Sequence, residues 1–135
     1  MLLNRFFSIE SVNVSGEGNL LTSESNKFLV QVRVYPDHPI FNGHFPGNPV
    51  IPGVCQVQIV TEILNEIYHK CFRLINADNI KFLSLINPVV TGSFSFNLNC
   101  RPGPDDDITV NVVAFKDQIT FLKLKASYSS TNLNV

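Results

Sequence analysis

Charge is scarce in this sequence of 135 residues: only 16% are Asp, Glu, Lys or Arg, and ten basic side chains against eleven acidic ones leave a formal charge of −1. There is no Arg-rich stripe and no basic arm, which excludes a protein that coats nucleic acid by neutralising its phosphates. The opening "MLLNRFFSIESVNV" has neither the apolar stretch nor the small-residue cleavage site of a secretory signal. No apolar run approaches membrane-spanning length. The expectation is a cytoplasmic protein with no membrane partner. Cys55, Cys71 and Cys100 are widely spaced, with no CxxC pair and no histidine at zinc spacing. They are expected as small buried hydrophobes, with no metal site and no disulfide. Repeats and low-complexity segments are missing as well.

What is present is a core. Hydrophobic residues make up 44% of the chain, which argues for a packed interior, and the length suits one domain over 1–135. Alternation in "FFSIESVNVSGE", with a slip near Ser11, predicts a first strand, and Gly16 and Gly18 mark a turn after it. Phe28, Val30, Val32 and Val34 share one face of a second strand from about Lys27 to Tyr35. Residues 36–52 hold five of the eight prolines and read as an ordered loop. Beyond Pro52 the period changes: "GVCQVQIVTEILNEIYHKCF" places Val57, Val60, Ile63, Leu64, Ile67 and Cys71 at helical spacing. Gln58, Thr61, Glu62, Asn65, Glu66 and His69 fall largely on the other side, and His69 is expected to complement the C-terminal dipole. "NIKFLSLI", "GSFSFNLNCR", "ITVNVVAF" and "QITFLKLKASY" then read as four strands, the last of them joined by hairpins. Residues 128–135 are expected to fray. Two strands, a long apolar helix and four strands predict an α+β fold whose antiparallel sheet wraps around one central helix.

The chemistry concentrates in "FNGHFPGNPVIPGV", residues 41–54, where three glycines and three prolines surround His44. Gly43 permits a tight backbone, while Pro46, Pro49 and Pro52 restrict the descent into the helix, so the imidazole sits on a rigid mount suited to general acid/base work. Pro52 and Gly53 lie where the unpaired N–H groups and the positive end of the helix dipole face outward, and there a carbonyl oxygen gaining charge would be stabilised. Histidine with backbone donors suggests proton abstraction beside a carbonyl. A loop histidine stiffened by neighbouring prolines is the alternative that spacing leaves open.

The string "GHFPGNPVIPGV" resembles the signature G-H-F-P-G-x-P-x-x-P-G-V of the hot-dog-fold β-hydroxyacyl-(acyl carrier protein) dehydratases, in which it leads into the central helix. The resemblance implies a hot-dog domain, at least dimeric, that converts 3-hydroxyacyl thioesters to trans-2-enoyl thioesters. It implies His44 as the base for the α-proton and the Gly53 N–H as the donor to the thioester carbonyl, with Val54, Phe45 and Pro52 lining the substrate. It implies no metal and no cofactor beyond the phosphopantetheine that carries the acyl chain on acyl carrier protein or coenzyme A. The family also places a carboxylate five residues beyond that glycine, contributed by the other subunit, to handle the leaving hydroxyl.

Here that position is Gln58, which cannot transfer a proton, and the carboxylate stands one helical turn later as Glu62. The exchange keeps both on one face but moves the carboxylate about 6 Å along the axis. Glu62 reaching the hydroxyl through Gln58 or a water, a non-catalytic acyl-thioester-binding or dimer-partner subunit, and a thioesterase in which Glu62 activates water are the three readings left. His38 is a further loop histidine near the site. Phe82, Phe94, Phe96, Phe115 and Phe121 are candidates for core or for an acyl tunnel, and Lys123, Lys125, Arg73 and Lys81 for solvated charge or a patch facing an acidic carrier.

Overall fold

The computed structural model describes residues 1–15, 25–42 and 47–132. Strands β1 (Phe7–Ser15) and β2 (Asn26–Val34) come first, followed by a 3-10 turn at Pro39–Asn42 and helix α1 (Gly53–Tyr68). Strand β3 (Lys70–Phe82), the short helix α2 (Pro88–Thr91) and strands β4 (Ser93–Pro102), β5 (Ile108–Lys116) and β6 (Ile119–Asn132) complete the chain. The six strands form one antiparallel sheet in the order β1-β2-β4-β5-β6-β3.

Alternation decides which face meets the helix. Along β2 every second residue from Asn26 to Val34 is buried, and Phe94, Phe96 and Leu98 on β4 and Leu122, Leu124 and Ala126 on β6 continue the same inner face. Against it α1 lays Cys55, Ile59, Val60, Ile63 and Leu64, all buried at i, i+3 and i+4 spacing. This is the wrapped sheet that the periodicity predicts. The slip near Ser11 is a bulge: Ile9 pairs with Val32 and Ser11 with Gln31, which leaves Glu10 without an opposite residue. The turn expected at Gly16 and Gly18 lies outside the described residues.

Three boundaries differ from the sequence reading. The helix stops at Tyr68, because His69 takes a left-handed conformation (φ 53°) and returns its N–H to the Asn65 carbonyl. The Asn65 side-chain Oδ1 then accepts the Phe72 N–H at 2.7 Å, so the helix hands over directly to β3. His69 is thus the helix terminator, and Cys71 is an exposed strand residue, whereas Cys55 and Cys100 are buried as expected. β3 consequently begins nine residues before the strand expected at Asn79. At the other end β6 runs through Asn132, paired with Lys70, and Tyr128 is wholly buried. The tail therefore does not fray at residue 128: Tyr128 packs edge-on to Phe72 with ring centroids 6.3 Å apart. "NPVVTG" holds α2, where Asn87 Oδ1 caps the Val89 and Val90 N–H groups.

Cys100, Tyr68 and Asn26 meet where the last turn of α1 approaches β2 and β4. Burial pushes the Cys100 thiol up from 9.0 to about 11, an effect partly opposed by its hydrogen bond with Tyr68. Burial also raises the Tyr68 hydroxyl. Both groups are neutral when protonated; the thiol's contribution is complete below its unfolded value and is lost as pH rises from about 9 toward 11, whereas that of the Tyr68 hydroxyl begins to be lost only above its unfolded value of 10.0. Urea titrations across that range are expected to show falling stability, and Cys100→Ala to flatten the fall; an unchanged slope in the variant contradicts this assignment.

Candidate active site

The approach to α1 is held from both sides. The Ile51 N–H donates to the Ile86 carbonyl at 2.9 Å, and the Ile51 carbonyl accepts Gln56 Nε2 at 3.2 Å. Pro52 caps the helix without a side-chain bond, and its carbonyl accepts the Cys55 and Gln56 N–H groups at 3.0 and 3.1 Å. The N–H groups of Gly53 and Val54 stand in the first turn, where the helix itself supplies no acceptor. A Cβ at Gly53 would meet Phe82 Cζ at 2.7 Å, so a larger residue there requires the ring to turn aside. The Phe82 ring, 52% exposed, covers the helix start and lines with Gly53, Gln56 and Leu85 an open cavity of about 400 Å³.

A second cavity of about 620 Å³ runs along the flank of the same helix. Val54, Gln58 and Thr61 line it from α1, Arg73 and Leu74 from β3, and Leu2 from the opening segment. Val54 is 76% exposed. Gln58 and Glu62, one turn apart, are joined: Gln58 Nε2 donates to Glu62 Oε2 at 3.0 Å.

Glu62 is 4% exposed, although the helical wheel puts it on the polar side. Its carboxylate takes the Leu2 N–H on both oxygens, at 2.7 Å to Oε1 and 2.9 Å to Oε2, and the Leu3 N–H on Oε1 at 2.8 Å. With Gln58, three donors fill the two oxygens, close to the capacity of a carboxylate.

His44 and Phe45 lie outside the described residues. The structure brings Pro52, Gly53 and Val54 together at the helix start and couples Gln58 to Glu62. His38 is a turn residue: its Nδ1 accepts the Ile40 N–H at 3.1 Å, and its ring stands edge-on to Phe6 at 5.1 Å. Phe94, Phe96 and Phe121 are core, and Phe115 is half-buried. Lys123 and Lys125 are exposed on β6, with Lys81 directly opposite Lys123, while Arg73 lies further along β3. No group of three metal-ligating side chains occurs among the described residues.

Two contributors escaped the sequence reading. The Leu2 and Leu3 amides carry no side-chain signal at all. Gln56 did leave one, since it falls on the same inward stripe as Ile59, Val60 and Ile63; it is buried, and its Oε1 has no hydrogen-bond partner among the described residues.

Contact between Gly53 and Phe82 yields a double-mutant test. Gly53→Ala is expected to be less favourable, by up to about 1 kcal/mol, in the wild-type background, where the ring must turn aside, than when Phe82→Ala is already present. Equal costs in both backgrounds, measured by chemical denaturation, would show that the ring does not restrict position 53.

Several known proteins share this architecture. A hot-dog protein from Erwinia carotovora subsp. atroseptica, described as uncharacterized, superposes with a TM-score of 0.62 at 22% identity, covering 94% of this chain and 97% of its own. The dehydratase heterocomplex ApeI:P from Xenorhabdus doucetiae gives 0.62 at 18% identity, covering 90% and 96%. A candidate thioesterase from Lactococcus lactis gives 0.62 at 9% identity, covering 93% and 94%. These likenesses show the hot-dog fold. In sequence, the 3-hydroxyacyl-[acyl-carrier-protein] dehydratase FabZ of Rickettsia rickettsii is 31% identical over 78 residues, 51% of this chain and 54% of that protein. The chain thus spans about half the length of the curated relatives it matches. The family model ApeI-like, described as ApeI dehydratase, matches residues 21–127. With that match covering most of the chain, and with the sheet and helix arranged as described, the protein belongs to the ApeI-like dehydratase family of hot-dog proteins.

Proposed function

We propose that the protein dehydrates 3-hydroxyacyl thioesters delivered on the phosphopantetheine of an acyl carrier protein or coenzyme A, without a resident metal or redox cofactor. The observation that carries this reading is the juxtaposition of two features on one helix: a first turn at Gly53 whose N–H groups have no acceptor within the helix and, five residues on, an exposed amide at Gln58 beside a cavity. The thioester carbonyl accepts the Gly53 N–H, which stabilises the enolate-like charge as His44 removes the α-proton. The C–H electron pair becomes the new double bond, the Cβ–O bond breaks, and the leaving oxygen departs as water. Gln58 has no proton to give, so it orients the hydroxyl, and the His44 imidazolium returns the proton. Lacking a dedicated acid costs ~10²- to 10⁴-fold in rate.

The site is completed by a second hot-dog chain. Among the described residues β3 pairs on one side only, with β6, and Ile75, Ile80, Leu83 and Leu85 expose apolar side chains on it and just beyond it. Both cavities are open beside this strand, and a partner strand would close them and bring its own histidine loop to the helix flank. A homodimer suffices for the chemistry above. The binding or partner-subunit reading gains support from one feature, the amide in place of an acid at position 58, because a non-identical partner could then supply the carboxylate. Hydrolysis with Glu62 activating water is disfavoured, since both of its oxygens are already occupied by N–H donors.

Mass spectrometry of 3-hydroxyacyl carrier protein incubated with the enzyme is expected to show loss of water with the wild type and none with His44→Ala. Gln58→Glu is expected to accelerate the reaction by ~10², because it puts a carboxyl group capable of proton transfer where the leaving hydroxyl is expected. A wild type and a Gln58→Glu variant that both leave every chain length intact contradict the dehydratase reading and favour the partner subunit.

A further inference from the structure

The opening segment is built as a hook. The Leu2 carbonyl accepts the Arg5 and Phe6 N–H groups at 3.0 and 2.7 Å, and the Asn4 N–H, from a residue at φ 65°, donates to the Phe7 carbonyl at 2.6 Å. One end of the hook is fastened to the helix through the Leu2 and Leu3 amides on Glu62. The other is fastened to the loop that leads toward His44. Phe6, wholly buried, stacks on Phe41 at 5.7 Å and stands edge-on to His38, and its carbonyl accepts the Tyr35 N–H at 2.8 Å. Residues 2–6 therefore bridge the two elements that carry the expected chemistry, and Leu2 also walls the flank cavity.

We propose that Glu62 is a positioning residue: its carboxylate anchors the Leu2–Phe6 hook, which ties the segment Tyr35–Phe41 that precedes His44 in the sequence to α1, and it turns the Gln58 amide toward the cavity. The step that links this to catalysis rests on the dehydratase reading; the anchoring itself does not. Both carboxylate oxygens accept N–H donors, from Leu2, Leu3 and Gln58, so the group is engaged in holding the hook and the amide. The exchange of Gln and Glu across one turn thus moves the carboxylate from the reacting end of the site to its support.

The test pairs two variants with two readouts. Glu62→Gln removes the charge; Leu2→Pro with Leu3→Pro removes the N–H donors without touching the helix. Hydrogen exchange of the Leu2 and Leu3 amides is expected to speed up at least about tenfold in Glu62→Gln. For dehydration, both variants are expected to lower kcat by about 10- to 100-fold, with no further loss when combined and with the shape of the pH profile kept. If Glu62→Gln alone abolishes turnover and removes a limb of the pH profile while the proline variant stays active, Glu62 is an acid and the proposal is overturned. Should the wild type release no water, the dehydratase reading fails on its own. The exchange rates then decide: loss of protection sustains the anchor, and unchanged protection of Leu2 and Leu3 overturns it.

Discussion

A helix that a sheet encloses must have each of its inward polar groups matched from within the chain, and in α1 that condition falls hardest on one carboxylate. An ionised group taken out of water without partners is severely destabilising. Glu62 meets the condition with backbone donors 59 and 60 residues away in sequence and with the amide one turn before it. Much of the site's architecture follows from that match. The opening segment is drawn onto the helix, Phe6 is placed where it stacks on the loop before His44, and Gln58 has its donor end committed. Gln56 is matched only in part: its Nε2 braces Ile51, while its Oε1 has no partner among the described residues.

The fold was legible because each element announces its own period. Val30, Val32 and Val34 alternate; Ile59, Val60, Ile63 and Leu64 follow the helix; even the bulge near Ser11 appears as a slip in the alternation. What could not be read depends on contacts between distant residues. The apolar pattern runs on through Cys71 and Phe72, and only a left-handed His69 with an Asn65 side chain to satisfy Phe72 ends the helix sooner. The wheel sets Glu62 beside Asn65, Glu66 and His69, and nothing nearby in sequence marks its burial, because the segment that covers it, Leu2–Leu3, lies about 60 residues earlier. Of the site itself, the helix start at Pro52–Gly53 and the Gln58–Glu62 exchange were visible in the residues. The backbone amides of Leu2 and Leu3 were not, since every residue but proline has one.

Helix α1 divides its labour along its length. The first turn holds N–H groups with no acceptor within the helix, under the Phe82 ring, the next presents an amide to the flank cavity, and the one after that carries the buried anchor. The free edge of β3 borders the first two, which makes a second chain part of the active unit in this account. In the proposed mechanism, a shift of polar roles by four residues separates the group that meets substrate from the group that holds the frame.

The central claim is that an acyl thioester lies with its carbonyl at Gly53 and its hydroxyl at Gln58. NMR of the ¹⁵N-labelled protein with a 3-hydroxyacyl pantetheine amide, in which nitrogen replaces the thioester sulfur, tests it most directly. The account predicts that the Gly53 backbone and Gln58 side-chain signals move on titration while those of the Leu2 and Leu3 amides hold still. Shifts confined to the outer sheet face around Lys123 and Lys125, with Gly53 unmoved, would contradict it.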